Sequence, residues 1–385
     1  YYTKDGKPLE SAPEYILRKA HNEFKKSTGF VFKAMGELEY YVISKTDTLY
    51  PAKDQKGYAD SQPFSKWEDL RREAMNLIAQ AGGKIKYGHS EVGNFTSGDE
   101  YYEQQEIEFQ PVDAEDAVDQ LLIGKWILRM LGKKHNVNIS FAPKITVGKA
   151  GSGLHIHFLA EKNGVNLMAD DEGITDAAKK MIAGILSKAK ELTAFGNTVP
   201  LSYLRLVPHQ EAPVNICWGD TNRSALMRVP LGWIAKTNMV RDANPFEKYE
   251  VPYIPGKQTV ELRTPDGSAD LYHLMAGLIM AAQSGLEKTD SLELSKKLYS
   301  GVNIFKEENR ETAFKFEQLP VSCSDSADAI EKDRSFFEKN KVFPKGTIDR
   351  FINKLRSYKD KNLREELFGK DDEIKKLVLK YMHHM

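Results

Sequence analysis

Apolar side chains along this chain recur either every third and fourth residue or every second residue, and the two spacings separate helices from strands. Leu17, Ala20 and Phe24 mark one face of a helix that starts near Pro13, with Ser11 and Glu14 in a capping-box pattern. Trp67, Leu70, Ala74, Leu77 and Ala81 mark a second helix, capped by Ser65 and Glu68 and ended by Gly82-Gly83. Ala117, Leu121, Gly124, Leu128 and Leu131 mark a third, starting at Asp113. Ala178, Ile182, Ile185, Ala189 and Leu192 predict one long helix closed by Gly196, and Leu271, Leu274, Leu278 and Ala281 predict another capped by Ser268. From about residue 288 the chain reads as polar helices, one capped by Thr347 with Ile348, Ile352 and Leu355 inside.

Between these helices lie aromatic and β-branched runs that predict strands: residues 30–43, 84–89, 105–110, 138–142 and 154–159, with shorter runs around Arg228 and Glu261. Residues 50–63 read as a polar loop and residues 93–103 as a mobile one. No repeat, low-complexity tract or Pro/Gly linker divides the chain.

Composition narrows the class. At 385 residues and 41% hydrophobic, the chain can bury a large core in one or two domains. Its 55 basic and 55 acidic residues balance, so no overall field draws nucleic acid or an anionic membrane. Two cysteines, Cys217 and Cys323, form no disulfide framework and suit a reducing cytoplasm. The longest apolar run, near residues 274–282, is far short of the roughly 20 residues that span a bilayer. No signal peptide opens the chain, and it begins Tyr1-Tyr2 without methionine, which leads us to expect sequence upstream.

The chemistry concentrates on strand faces. In Gly151-Ser-Gly-Leu-His155-Ile-His157, alternation puts His155 and His157 on one face and Leu154, Ile156 and Phe158 on the other. Two imidazoles beside a glycine-rich turn suit metal or phosphate; the simpler alternative is a hydrogen-bonded pair on a half-buried strand. Glu37 and Glu39 likewise share a face, about 7 Å apart. Like charges so close are disfavoured without a cation, and apolar flanks place them in a central strand rather than on a solvated edge. Glu91 and Glu106 are two further candidate inward carboxylates. Arg205 and Glu211 lie in a proline-punctuated loop, and Arg223 and Arg228 in a run that otherwise reads as buried strand. Glu261 and Arg263 share a strand face. Arginine in such settings pairs with a carboxylate or phosphate, from a ligand or from the chain itself. There is no P-loop, and the Gly151 turn lacks the third glycine of a dinucleotide fingerprint.

These blocks, in this order, resemble the catalytic domain of glutamine synthetase: Glu37-Leu-Glu39, residues 151–157, 205–213, 222–230 and 260–266. The resemblance runs from about residue 12 to about 285 and more loosely to the end. It implies an α+β fold, with antiparallel strands curved into an open half-barrel backed by helices. Residues 1–11 would be a tail, 12–385 the catalytic domain and 288–385 its helical carboxy-terminal part. It implies two divalent cations, Mg²⁺ or Mn²⁺, one held by Glu39, Glu91 and Glu106 and the other by Glu37, His155 and Glu261. ATP would phosphorylate the γ-carboxylate of glutamate, and ammonia would then displace phosphate. Gly151, Arg205 and Arg263 would hold glutamate; His157 and Arg228 would meet the nucleotide; Arg223 would neutralise the transferring phosphoryl group. Glu211 would close the site and take a proton from ammonium. The family assembles rings in which a neighbour's amino-terminal domain completes the site, so a ring homo-oligomer is expected of the full-length protein, with that domain expected upstream of Tyr1.

Several positions depart from the family pattern. Ala150 stands where asparagine is usual, His209 where glycine is usual, and Thr259 where an arginine usually meets nucleotide phosphates, with Lys257 placed to compensate. Fifteen positions separate Glu91 from Glu106, about twice the family spacing, so residues 93–103 hold an insertion. The metal ligands are kept, which argues against a non-catalytic structural or regulatory relative. The acceptor stays open between ammonia and an organic amine, which would give a γ-glutamylamide.

Overall fold

A computed structural model describes residues 1–207, 212–231, 243–246, 248 and 258–383. The strands among them are β1 (Val31–Lys45), β2 (Ile85–Ser97), β3 (Glu100–Phe109), β4 (Val112–Asp113), β5 (Asn138–Ser140), β6 (Leu154–Lys162), β7 (Val165–Asn166), β8 (Ala169–Asp170), β9 (Gly173–Ile174), β10 (Trp218–Asp220), β11 (Met227–Val229) and β12 (Val260–Leu262). The spine of one large open sheet runs β10-β11-β12-β6-β1-β3-β2, with β4 and β5 paired to β1 and β7 to β6. Every pair is antiparallel except β10–β11. β8 and β9 form a separate ribbon.

The sheet separates apolar from charged side chains. One face of β1 presents Phe32, Ala34, Leu38, Tyr40 and Val42, all buried. The Ala114–Lys134 helix lies close on that side. A Cβ on Gly36 would fall 2.7 Å from the Leu121 side chain, so glycine there permits this approach. Phe32 stacks on Phe158 of β6 with ring centroids 5.6 Å apart, and meets Phe24 of the Pro13–Thr28 helix edge to face. The carboxy-terminal helices share this core: Phe195 meets Phe337, Phe343 and Phe351 at 5.5, 5.2 and 4.9 Å between ring centroids.

Several local expectations change. Residues 93–103 are not a mobile loop but the end of a long β2–β3 hairpin turning at Gly98, whose φ is 63°. Phe95 and Tyr102 stack across it at 4.6 Å, and Tyr41 meets both edge to face. These residues therefore extend two strands, and their aromatic pairs stabilise the extension. Ser65 does not cap the second helix. Its hydroxyl donates to Glu103, and so do the amides of Lys66 and Trp67, each at 2.9 Å, so a buried carboxylate from β3 caps the Glu68–Gln80 helix across space. The first helix starts from Ala12 without a side-chain cap, its Pro13 filling the first turn. The predicted long helix is two, Asp176–Leu186 and Ala189–Gly196. The helices predicted to be capped by Ser268 and Thr347 run Leu271–Glu287 and Lys345–Ser357, preceded by Asp270 and Pro344.

Candidate active site

The polar face of the sheet is built by register. Glu37 of β1 lies opposite Glu108 of β3 on one side and His155 of β6 on the other. Glu39 lies opposite Glu106, Glu106 opposite His89, Glu261 opposite His157, and Arg228 opposite Glu261. Directly paired residues share a face, so these side chains form one charged strip across six strands. The sequence placed the two acids of β1 correctly, but which strands flank β1 is a long-range fact no local pattern states.

Two groups of side chains fall within the strip. Around β6, the Glu37 carboxylate is 2.9 Å from His155 Nδ1 and 2.8 Å from His157 Nε2. Glu261 lies 3.2 Å from His155 Nδ1, 2.9 Å from Arg228 Nε and 3.2 Å from Arg263 Nε. Burial disfavours charge on Glu37, yet His157 and His155 hold its pKa well below the usual carboxylate value. Burial also opposes charge on His155, but Glu261 and Glu37 outweigh it and raise the imidazole to about 9. Around β2 and β3, His89 lies 3.7 Å from Glu91 and 3.8 Å from Glu106, and Glu37, Glu106 and Glu108 come together beside them. Glu108 is paired with Lys86 at 2.7 Å. Burial, then Glu37, Glu39, Glu91 and Glu108, push the Glu106 carboxyl well above its usual range. Glu39 is raised as well, chiefly by burial, with His155 opposing and Glu91 adding to it. The acids around β6, Glu37 and Glu261, are thus neutralised by protein cations and Glu108 by Lys86, while Glu106 keeps the carboxylate repulsion.

The groups Glu37–His157–Glu261 and His89–Glu91–Glu106 each bring one ligand atom per residue within 4.8 Å of the others. A divalent cation about 2.1–2.4 Å from each ligand fits that span, and mostly oxygen donors with an imidazole suit a hard cation. The grouping differs from the expectation in two respects. His157, expected at nucleotide, lies against Glu37; its other ring nitrogen is 2.9 Å from the Thr259 hydroxyl. His89 joins Glu91 and Glu106, in the place expected of Glu39. His89 stands two residues before Glu91 in β2, a spacing that could have shown it.

Glu39 is directed to the glycine turn. Its Oε2 accepts from the Gly153 amide at 2.8 Å and from Gln104 Nε2 at 3.1 Å. A Cβ on Gly151 would sit 2.5 Å from the Pro143 carbonyl and 3.1 Å from Arg205 Cγ, so only glycine fits between them. The buried Arg205 donates to the carbonyls of Thr264 (2.9 Å) and Arg263 (3.3 Å), and its Nη2 lies 3.5 Å from His155 Nε2. Arg263 Nη1 donates to the Arg223 carbonyl, while the Arg223 side chain is exposed. Glu211 and Lys257 lie outside the described residues.

Known proteins resemble this chain in sequence and in fold. The sequence profile of the glutamine synthetase catalytic domain matches residues 10–367. The chain is 31% identical over 336 residues to a glutamine synthetase of Pyrococcus horikoshii, covering 87% of this chain and 68% of that one. It is 32% identical over 334 residues to the Pyrococcus furiosus glutamine synthetase, covering 86% and 68%. Among solved structures, a Plasmodium falciparum glutamine synthetase superposes with a TM-score of 0.71 at 22% identity, over 93% of this chain and 78% of the other, a likeness of fold. With a mixed α+β fold and a profile spanning most of its length, the chain belongs to the glutamine synthetase family through that family's catalytic domain.

Proposed function

We propose that this chain carries an ATP-dependent carbon–nitrogen ligase, forming glutamine from glutamate and ammonia through a γ-glutamyl phosphate. The observation that carries it is the strip of carboxylates and imidazoles crossing β2, β3, β1, β6 and β12 next to three arginines, Arg205, Arg228 and Arg263. Two Mg²⁺ or Mn²⁺ ions would be held there. Glu39, Glu91 and Glu106, with His89, would take one; Glu37, His155 and Glu261, with His157, the other. Bound there, the cations supply charge neutralisation for the phosphoryl group.

The chain's own groups do the rest. Gly151, Arg205 and Arg263 hold the substrate carboxylate beside the first cation. Arg228 and Arg223 approach from the β11 side, where an anionic phosphoryl group would replace Glu261 as the Arg228 partner; Arg223, exposed and unconstrained by the strip, is the one able to swing in. Lys257 completes the nucleotide contacts, and His157, expected there, is engaged by Glu37 and Thr259 instead. Glu211 closes over the site and accepts the proton of ammonium, so that neutral ammonia attacks. The half-barrel curvature, with residues 12–385 as one catalytic unit, a ring-shaped homo-oligomer and a cytoplasmic setting belong to the same proposal; the two buried free cysteines suit a reducing compartment.

The test is phosphate release by the protein with ATP, Mg²⁺ and glutamate, comparing ammonium with a panel of organic amines. Ammonium-dependent release is expected. Release only with an amine would make the product a γ-glutamylamide, and no release with either would overturn the ligase proposal.

A further inference from the structure

Gln104 is fully buried on β3, and its carboxamide serves three segments at once. Its Nε2 donates to Glu39 Oε2 at 3.1 Å, to the Gly151 carbonyl at 3.0 Å and to the Ser152 hydroxyl at 3.3 Å. Its Oε1 accepts from the Gly93 amide at 3.1 Å. Gly93 is held close: a Cβ there would lie 2.1 Å from the Tyr41 hydroxyl and 2.6 Å from Gln104 Oε1. Tyr41 in turn donates to the Ala150 carbonyl at 2.9 Å. Thus β1, β2, β3 and the 150–153 turn meet at one amide.

We propose that Gln104 is a positioning residue that ties the Glu39 carboxylate to the Gly151 backbone, so that the cation site and the amino-acid site form together. The inference rests on the reading of Glu39 as a cation ligand. An amide is the group this position needs. It must donate to a carboxylate and to a carbonyl while accepting from a backbone N–H, and only a side chain with both a donor and an acceptor does so. Without it, Glu39 keeps the Gly153 amide but can rotate about its last torsion, and the part-buried Gly151 carbonyl loses this donor. The role is indirect: Gln104 touches no substrate and acts through Glu39 and the turn.

Gln104→Leu keeps the volume and removes every polar contact. In the 385-residue chain, Mn²⁺ titration by calorimetry should show affinity about tenfold weaker, the loss of a hydrogen bond to a charged group. In turnover assays the KM for glutamate should rise by a similar factor, with the KM for ATP changing less. A purely structural defect could also weaken Mn²⁺ binding, so the deciding measurement is a double-mutant cycle with Glu39→Gln. If Gln104 acts through Glu39, Gln104→Leu costs little Mn²⁺ affinity in the Glu39→Gln background; independent losses would instead multiply. Wild-type Mn²⁺ binding left intact by Gln104→Leu, or losses that multiply, overturns the inference alone. Wild-type protein that binds no Mn²⁺ overturns the cation reading, and this inference with it.

Discussion

Glu106 is the residue at which stability and function should oppose each other. Its carboxylate shares a space 4.8 Å across with Glu37 and Glu108. At an effective dielectric of about 20, two unit charges at that distance repel by about 3.5 kcal/mol. Lys86 offsets Glu108, and His155 and His157 offset Glu37, so the net cost left on Glu106 is about 1–2 kcal/mol. Its folded-state pKa lies above the usual 4.5. Below pH 4.5 the carboxyl is protonated whether the chain is folded or not, and the cost is nil. As pH rises above 4.5, the unfolded chain ionises first and the folded state loses stability relative to it, until Glu106 itself ionises and the loss levels off. Glu106→Gln removes the charge and keeps the shape. In EDTA the variant should match wild type near pH 4.5 and exceed it at pH 7.5, by about 2 °C in Tm for a chain of this size. With Mn²⁺ the order should reverse, because one ligand and one charge are gone; calorimetry should show affinity at least tenfold weaker. Differential scanning fluorimetry across pH, with and without Mn²⁺, reads both arms. A variant less stable than wild type in EDTA at pH 7.5, or one that binds Mn²⁺ equally well, would refute the reasoning.

Three further outcomes are expected. Thr259→Val removes the hydroxyl 2.9 Å from His157 Nδ1 while keeping the shape, so the imidazole loses its orientation; Mn²⁺ affinity should fall about fivefold, for roughly 1 kcal/mol, with Tm little changed. Lys125, buried and bonded to the Gly267 carbonyl at 2.8 Å, has its pKa lowered to about 8 by burial and by Arg129, against Asp266. Its charge costs the fold stability below pH 8, and that cost fades as pH rises from 8 to 10.5; the stability of Lys125→Met relative to wild type should therefore fall by about 3 kcal/mol across that window in urea titrations. Gly36→Ala should destabilise by about 1–3 kcal/mol through the contact with Leu121, and Leu121→Ala should remove most of that increment in the double variant, as urea midpoints will show.

The parts of this molecule legible in the sequence are those set by local alternation. Glu37 and Glu39 on one face of β1, His155 and His157 on one face of β6, and Glu261 with Arg263 follow from the two-residue strand period alone. The amphipathic helices follow from theirs. What was not legible depends on contacts between distant segments. Glu103 caps a helix 36 residues before it in the chain, at Trp67, and no spacing rule reaches so far. The β2–β3 hairpin carried a usable signal, Phe95 and the tyrosines Tyr101 and Tyr102 on either side of Ser97-Gly98-Asp99, but a run of polar residues obscured it. Gln104 gave no signal at all, since a glutamine in a strand is unremarkable until its three acceptors are seen.

The same geometry gives Thr259, at the position where an arginine is expected, a contact of its own. The residue immediately precedes β12, with its hydroxyl against His157, and is buried. An arginine here would bring a third guanidinium beside Arg228 and Arg263, which already share the Glu261 carboxylate. With threonine, His157 is held by a neutral donor–acceptor group and turns its Nε2 to Glu37, adding a nitrogen to the Glu37–Glu261 group. On the proposed reading of the site, threonine here leaves the nucleotide side one positive charge poorer and directs the His157 imidazole to the cation side. A site arranged in this way should depend more steeply on divalent-cation concentration for ATP binding than one with the arginine, because the cation must supply the charge that the side chain does not. Thr259→Arg offers the comparison: ATP affinity measured at several Mg²⁺ concentrations should become less Mg²⁺-dependent in the variant, and an unchanged dependence would show that the phosphates are held by groups other than those of this strip.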